Sequence, residues 1–201
     1  MHVTVIDYKA GNLTSVLKAL HHLGAEITVT DGNLSLVESA ERLVLPGVGH
    51  FAATRRLDDT GLTSGIRNAI ARRVPFLGIC VGMQWLYSGS TEALEQPGLA
   101  QFTEACSRFP DGDQKVPHVG WNSLDVRNGS RLLAGIEPGG YVYFTHSYKA
   151  PITTDTAAVA NYIEPFAAAV ERGNVMGVQF HPEKSGAAGL KILRNFLEFA
   201  R

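Results

Sequence analysis

The sequence predicts an α/β fold: a doubly wound, mostly parallel sheet flanked by helices, with an added antiparallel or mixed portion. Three observations carry this expectation. Short, almost continuously apolar runs alternate with helical patterns through the first 80 residues, as suits parallel strands covered on both faces. From about residue 98 to residue 174 the pattern changes to brief strand-like pieces separated by Gly, Pro, Asp and Asn. A buried-strand run then returns near the C-terminus and an amphipathic helix follows it.

Taken in order, residues 3–6 form a first strand ending at Asp7. Residues 12–23 read as a helix with Leu13, Val16, Leu17, Leu20 and Leu23 on one face, stopped by Gly24. Strands are expected at 27–30 and 42–46, a second helix at 62–73 with Ile66, Ala69 and Ile70 inward, and a strand at 75–79. A short helix is expected at 83–87. The mixed portion offers strands at 123–126, 141–148, 157–162 and 167–171, and the chain closes with a strand at 175–180 and a helix at 189–200. No internal repeat, low-complexity tract or linker interrupts the 201 residues, so one domain is expected over 1–201.

Composition excludes several classes. Hydrophobic residues make up 45 % and charged residues 18 %, which suits a globular chain and not a disordered one. A net charge of -1 argues against nucleic-acid or membrane-surface binding driven by bulk charge. No apolar run reaches the roughly 18 residues a membrane span needs, and the N-terminus lacks the form of a secretory signal. Cys80 and Cys106 match no zinc or redox spacing, so a reducing, cytoplasmic setting is expected.

Chemistry enters at Gly78-Ile79-Cys80-Val81-Gly82. A G-x-C-x-G element between an apolar strand and a helix has the form of a nucleophile elbow. Its glycines tolerate a turn where a β-carbon would clash, and the turn lifts the sulfur toward a helix N-terminus. There the unpaired N–H groups and the helix dipole favour the thiolate, the reactive form. The Val81 N–H can point toward a developing oxyanion. Taken alone, Cys80 is as easily a small buried hydrophobe; Cys106, with no glycine-flanked turn, reads as one.

The strand at 175–180 delivers His181 to the carboxyl edge of the sheet, where open α/β sheets place their sites. Glu183, beyond Pro182, can orient the imidazole, leaving its other nitrogen to take the thiol proton. A metal reading is weaker, because no further His, Cys or Asp cluster joins His181 and Glu183. Leu45-Pro46-Gly47-Val48-Gly49-His50-Phe51, after the third strand, is a glycine-bounded loop of the kind that turns backbone N–H groups inward.

Together these pieces closely resemble the class I (triad) glutamine amidotransferases, and among them the glutaminase subunits of imidazole glycerol phosphate synthase. Four segments carry the resemblance: Pro46-Gly47-Val48-Gly49, Gly78-Ile79-Cys80-Val81-Gly82-Met83-Gln84, Lys115-Val116-Pro117-His118-Val119-Gly120-Trp121-Asn122, and His181-Pro182-Glu183-Lys184. Asp-Tyr-x-x-Gly-Asn at 7–12 and Tyr143-Phe144-Thr145-His146-Ser147-Tyr148 fit it too. The cysteine and histidine motifs specify the class; the Pro-Gly-Val-Gly loop and the Lys115 to Asn122 segment favour this one subunit. Val81 stands where the family often has leucine, a change of small consequence for a backbone donor.

The resemblance implies that Cys80 attacks the glutamine side-chain amide, with His181 as base and then acid and Glu183 as orienter. It implies oxyanion donors from Val81 and from a flipped loop at Gly47, Val48 and Gly49. Gln84 corresponds to a glutamine-contacting position, and His146, Ser147 and Tyr148 to backbone holding the amino-acid end. Ammonia would pass to a partner cyclase, a (β/α)₈ barrel, making a heterodimer in histidine biosynthesis. Lys115, Pro117, His118, Trp121, Asn122 and Lys184 would then form docking surface or ammonia exit. For Trp121, core is an equal alternative. No cofactor or metal is implied. The rival readings are another amidotransferase or cysteine hydrolase of the same fold, and a non-catalytic regulatory subunit.

Overall fold

The structure, a computed structural model, describes residues 1–9, 13–127 and 129–199. Gly11 and Asn12 of the N-terminal motif lie outside those residues, as do the first residue of the expected first helix and Ala200 at the end of the expected last one.

The first half alternates as the apolar runs require. It comprises β1 (His2–Ile6), α1 (Thr14–His22), β2 (Glu26–Thr30), α2 (Leu34–Glu38), β3 (Leu43–Gly47), α3 (Arg55–Asp59), α4 (Leu62–Ala71), β4 (Phe76–Cys80) and α5 (Val81–Gln84). The second half holds β5 (Ser107–Arg108), β6 (His118–Ser123), β7 (Asp125–Val126), β8 (Tyr141–His146), β9 (Tyr148–Lys149), β10 (Thr156–Tyr162), β11 (Glu164–Arg172), β12 (Val175–Val178) and α6 (Gly186–Leu197). The main sheet runs β2-β1-β3-β4-β12-β11-β10-β7. Its first five strands are parallel; β11, β10 and β7 then add on antiparallel. Two antiparallel ribbons, β6–β8 and β5–β9, stand apart from it. The α/β expectation with its antiparallel extension therefore holds.

Burial explains the central strands. Leu43, Val44 and Leu45 of β3, and Phe76, Leu77 and Ile79 of β4, are buried, as is all of β12. Each such side chain contributes about 1.5–3 kcal/mol when fully removed from water. α1 buries Val16, Ala19 and Leu20, and Gly24 at φ 79° ends it in the left-handed conformation that glycine adopts at no steric cost.

Several boundaries differ from the sequence reading, each for a local reason. The helix expected at 62–73 ends at Ala71, and Arg73 turns left-handed at φ 67°. The strand expected at 123–126 is two pieces: Ser123 closes β6 in a ribbon, whereas Asp125 and Val126 join the main sheet. The strand expected at 141–148 breaks at Ser147 into β8 and β9, which serve different ribbons. The ladder of β12 stops at Val178, although Gln179 N–H still donates to Ala168 C=O at 2.8 Å. The short α2 and α3 carry too few turns to register as periodic patterns.

The turn after β4 is the tightest place in the fold. Leu45↔Gly78 and Gly47↔Cys80 are register partners between β3 and β4, so α5 starts directly over β3. A β-carbon on Gly82 would lie 1.9 Å from the Leu45 carbonyl oxygen, and one on Gly78 would lie 2.4 Å from the Gly82 oxygen. Both obstacles are backbone, which cannot swing aside. Gly82→Ala is therefore expected to lower unfolding free energy by about 3 kcal/mol or more in urea titration. A loss below about 1 kcal/mol would show the turn to be slack.

Candidate active site

Each expected catalytic side chain leaves the carboxyl end of a parallel strand. Cys80 closes β4 at φ 54°, ψ -110°, a backbone conformation that non-glycine residues rarely occupy. His181 follows the β12 path, and its backbone N–H donates to Tyr143 C=O of β8 at 2.9 Å. Ser185 Oγ donates to His181 C=O at 2.6 Å and accepts from Tyr143 N–H at 2.9 Å, so His181 is tied to β8 on both sides. Glu183, in the single 3₁₀ turn Pro182–Lys184, accepts from His181 Nδ1 through Oε1 at 2.8 Å. The other imidazole nitrogen remains for Cys80. Both side chains of this ion pair are almost fully buried.

Burial is the largest single influence on His181 and disfavours its charged form, but the nearby Cys80 and the hydrogen-bonded Glu183 carboxylate outweigh it. The imidazole is raised to about 9. The positive charge near Cys80 thus comes chiefly from this neighbour. The helix dipole contributes less than the sequence suggests, because α5 is one turn, Val81–Gln84, and not a helix at 83–87. The Val81 N–H, at the first position of that turn, has no carbonyl four residues back to bond and is available to an oxyanion.

Cys80 opens onto a cleft of about 240 Å³, and Val48, Gly49, Val81, Gln84, His146, Ser147 and Tyr148 line it together. Gly47 does not line it; it belongs to β3, where a β-carbon would meet the Tyr8 hydroxyl at 1.9 Å. Gly49, at φ 105°, has a backbone that side chains rarely permit. Gln84 is buried, with Nε2 donating to Tyr148 C=O at 2.9 Å and to Gln179 Oε1 at 3.0 Å. Both of its donors are engaged, which leaves Oε1 as its free hydrogen-bonding group.

The expected docking residues divide. Trp121 is 55 % exposed, so it is not core; it sits edge-on to Tyr143 with ring centroids 6.0 Å apart. Lys115 and Pro117 are exposed, and Pro117 also reaches the cleft. Lys184 is exposed with Nζ 6.0 Å from the Tyr143 ring centroid, and Asn122 is half-buried. His118 lies off the exposed surface. It is buried, stacked on Tyr162 at 4.0 Å and Phe144 at 4.8 Å, with Nδ1 3.2 Å from His146 Nε2. In β6, His118 and Trp121 fall on opposite faces of the ribbon, so they cannot share one surface. Burial lowers His118 to about 4 and His146 to about 3, so both imidazoles are neutral at ordinary pH.

Two contributors escaped the sequence reading, and a third, Tyr8, entered it only within the motif at 7–12 with no role assigned. Glu92 lines the cleft and accepts from Phe51 N–H through Oε2 at 2.8 Å, a bond that leaves Oε1 uncommitted. Tyr8 packs on Gly47, its hydroxyl driven up by burial and by the Cys80 charge. Gln179 faces the Cys80 sulfur. Gln179 carried a signal: it shares a strand face with His181, two positions on, and is a lone polar residue in an apolar run. Glu92 carried none, because it lies in irregular chain with no motif. Cys106, fully buried, has its thiol pushed well up by that burial. No group of three or more His, Cys, Asp or Glu poised for a metal occurs among the described residues, and none of their helices is long and apolar enough to cross a membrane.

An elbow cysteine and a carboxylate-oriented histidine leave neighbouring strands of this sheet, and the family model Glutamine amidotransferase class-I matches residues 4–199, so the chain belongs to that class. Solved structures of similar fold include a glutamine amidotransferase (TM-score 0.76, 20 % identity, 98 % of this chain and 97 % of that one). Another is a glutamine amidotransferase from Thermotoga maritima (TM-score 0.69, 16 % identity, 98 % and 96 %). Within that class the chain belongs to the family of imidazole glycerol phosphate synthase subunit HisH. The relative from Rhodospirillum rubrum is 46 % identical over the full length of both chains. That from Deinococcus radiodurans is 45 % identical over 96 % of this chain and 92 % of its own.

Because His181 is raised above its ordinary 6.5, the stability its charge contributes is complete below about pH 6.5 and lost as pH climbs through about 9. Glu183→Gln removes part of that contribution. Unfolding free energies of wild type and variant, measured by denaturant between about pH 6 and pH 10, should differ most at the acid end and converge at the alkaline end. A gap that widened with pH would contradict the assignment.

Proposed function

We propose that the chain hydrolyses glutamine through Cys80 and delivers the ammonia to a partner cyclase, as the glutaminase subunit of an imidazole glycerol phosphate synthase. The observation that carries the chemistry is the buried His181–Glu183 pair beside an elbow cysteine at the wall of a cleft. The Cys80 sulfur attacks the side-chain carbonyl carbon, and the negative charge that develops on oxygen meets the Val81 N–H and the Val48–Gly49 backbone. His181, protonated at neutral pH by virtue of its raised value, gives its proton to the departing amine, and ammonia leaves. Water then attacks the thioester while His181 takes the water's proton, which releases glutamate and restores the sulfur.

At the amino-acid end, Glu92 Oε1 and Gln84 Oε1 are acceptors suited to an α-ammonium, and backbone at His146 to Tyr148 faces the same space. The outward face of β6–β8 supports the docking role. Val119, Trp121 and Tyr141 are 57 %, 55 % and 61 % exposed, an apolar patch of the kind that anchors interfaces. The relatives' name makes them subunits of a synthase, and a cyclase barrel seated here would receive ammonia beside Lys184. Two free cysteines fit a reducing cytoplasm. The complete triad, with a matched base, favours an active subunit over a regulatory one.

Glutamate release, followed with the cyclase partner present, should disappear in Cys80→Ser, and turnover at the wild-type rate would sink the nucleophile assignment. Glu92→Gln should raise KM for glutamine about tenfold or more, with a smaller change in kcat, through loss of a charge-assisted contact to the ammonium. An unchanged KM would remove Glu92 from the binding site.

A further inference from the structure

The Cys80 sulfur has a neighbour that the reaction above does not use. Gln179 is 0 % exposed, and its Nε2 lies 3.7 Å from Cys80 Sγ. Which end of that amide faces the sulfur is fixed by the groups around it. The Tyr148 carbonyl can only accept, and both His146 Nδ1, at 2.8 Å, and Gln84 Nε2, at 2.9 Å, approach it. Each must therefore present an N–H. The second amide hydrogen of Gln84 meets Gln179 Oε1 at 3.0 Å, so Gln179 turns its NH₂ toward Cys80. A reversed Gln179 would set two NH₂ groups against each other and a carbonyl oxygen against the sulfur. The same reasoning orders the far side. His146, donating from Nδ1, holds a lone pair at Nε2 and accepts from His118 Nδ1 at 3.2 Å. His118 Nε2 then accepts the long contact from Asn122 Nδ2 at 3.5 Å. Two neutral imidazoles and two glutamines thus converge on one backbone carbonyl.

We propose that Gln179 is a positioning residue that donates an N–H to the Cys80 sulfur and stabilises its thiolate, its amide locked in that sense by Gln84 and the Tyr148 carbonyl. The proposal rests on the reading of Cys80 as nucleophile. A buried glutamine that merely fills the core would have no preference for which end meets a sulfur. Here the orientation is imposed by an acceptor-only group two hydrogen bonds away.

The test is the rate at which iodoacetamide alkylates Cys80 in the folded chain, read by peptide mass across a pH series, with melting curves as the control for folding. Cys106, fully buried, serves as the silent reference. Gln179→Met keeps length and removes the donor. Gln179→Glu keeps an oxygen for Gln84 and turns a second oxygen on the sulfur. The titratable groups facing the sulfur are His181 with Glu183, and Tyr8 beyond the end of β1, with Glu92 across the cleft; all stay in place in both variants. Alkylation at neutral pH should slow roughly tenfold in Gln179→Met and further in Gln179→Glu, with the alkylation midpoint moved to higher pH in both. Folded variants with the wild-type rate and profile would overturn the proposal. Should either variant fail to fold, the side-chain amide resonance of Gln179 in the intact chain decides. It should shift on Cys80→Ala, and an unmoved resonance overturns the contact. Absence of glutamine hydrolysis by the wild-type complex would sink the proposed substrate and leave this donor assignment standing.

Discussion

Cys80 holds φ 54° and ψ -110° at the close of β4, and three strands must agree for it to stay there. Strain of this kind costs of order 1–3 kcal/mol. The apolar burial of Phe76, Leu77 and Ile79 alone outweighs it, at about 1.5–3 kcal/mol for each large side chain. Sterics then fix the rest. With no β-carbon at Gly78 or Gly82, α5 can lie against the Leu45 carbonyl, and β3 can run as far as Gly47 beside Cys80. Because β12 pairs with β4 from Val175↔Phe76 to Val178↔Ile79, the residues leaving β12 emerge at the height of Cys80. The site is thus a consequence of strand register. Val48, Gly49 and Val81 meet at the cleft, and His181 leaves β12 at the same height, because each follows a strand that ends at one level.

Around that edge the protein holds three buried histidines in two opposite electrostatic states. His181 has a carboxylate on one nitrogen and a thiol near the other, and these override its burial. His146 and His118 have only a carbonyl, each other and aromatic rings, so burial prevails and they are pushed down. One imidazole therefore holds its proton above its ordinary range. The other two are fixed donors and acceptors whose tautomers follow from the Tyr148 carbonyl. Equal burial with different partners separates the roles.

Much of this was legible in sequence. The apolar runs gave β3, β4 and β12, since fully buried parallel strands need no alternation to be recognised. The elbow was visible because its glycines are demanded by backbone clashes that no other residue avoids. Strand β6 was legible only as a motif, because its alternation is inverted. Val119 and Trp121 point outward, whereas His118 and Asn122 take the inner positions. A reading that assigns apolar residues to the core places His118 on the surface and leaves Trp121 ambiguous. Glu92 was invisible because its position depends on irregular chain, which carries no period.

That inversion links the two faces of the ribbon. Register pairs His118 with His146 on the inner face and Trp121 with Tyr143 on the outer one, so a single residue step separates the exposed patch from the network behind the cleft. Tyr143 contributes its ring to the outer face while its backbone is bonded to His181 N–H and Ser185 Oγ. A two-stranded ribbon has no second layer of sheet to absorb a shift of one strand. The exposed apolar patch and the backbone that seats His181 are therefore parts of the same strand, and neither can be placed independently of the other.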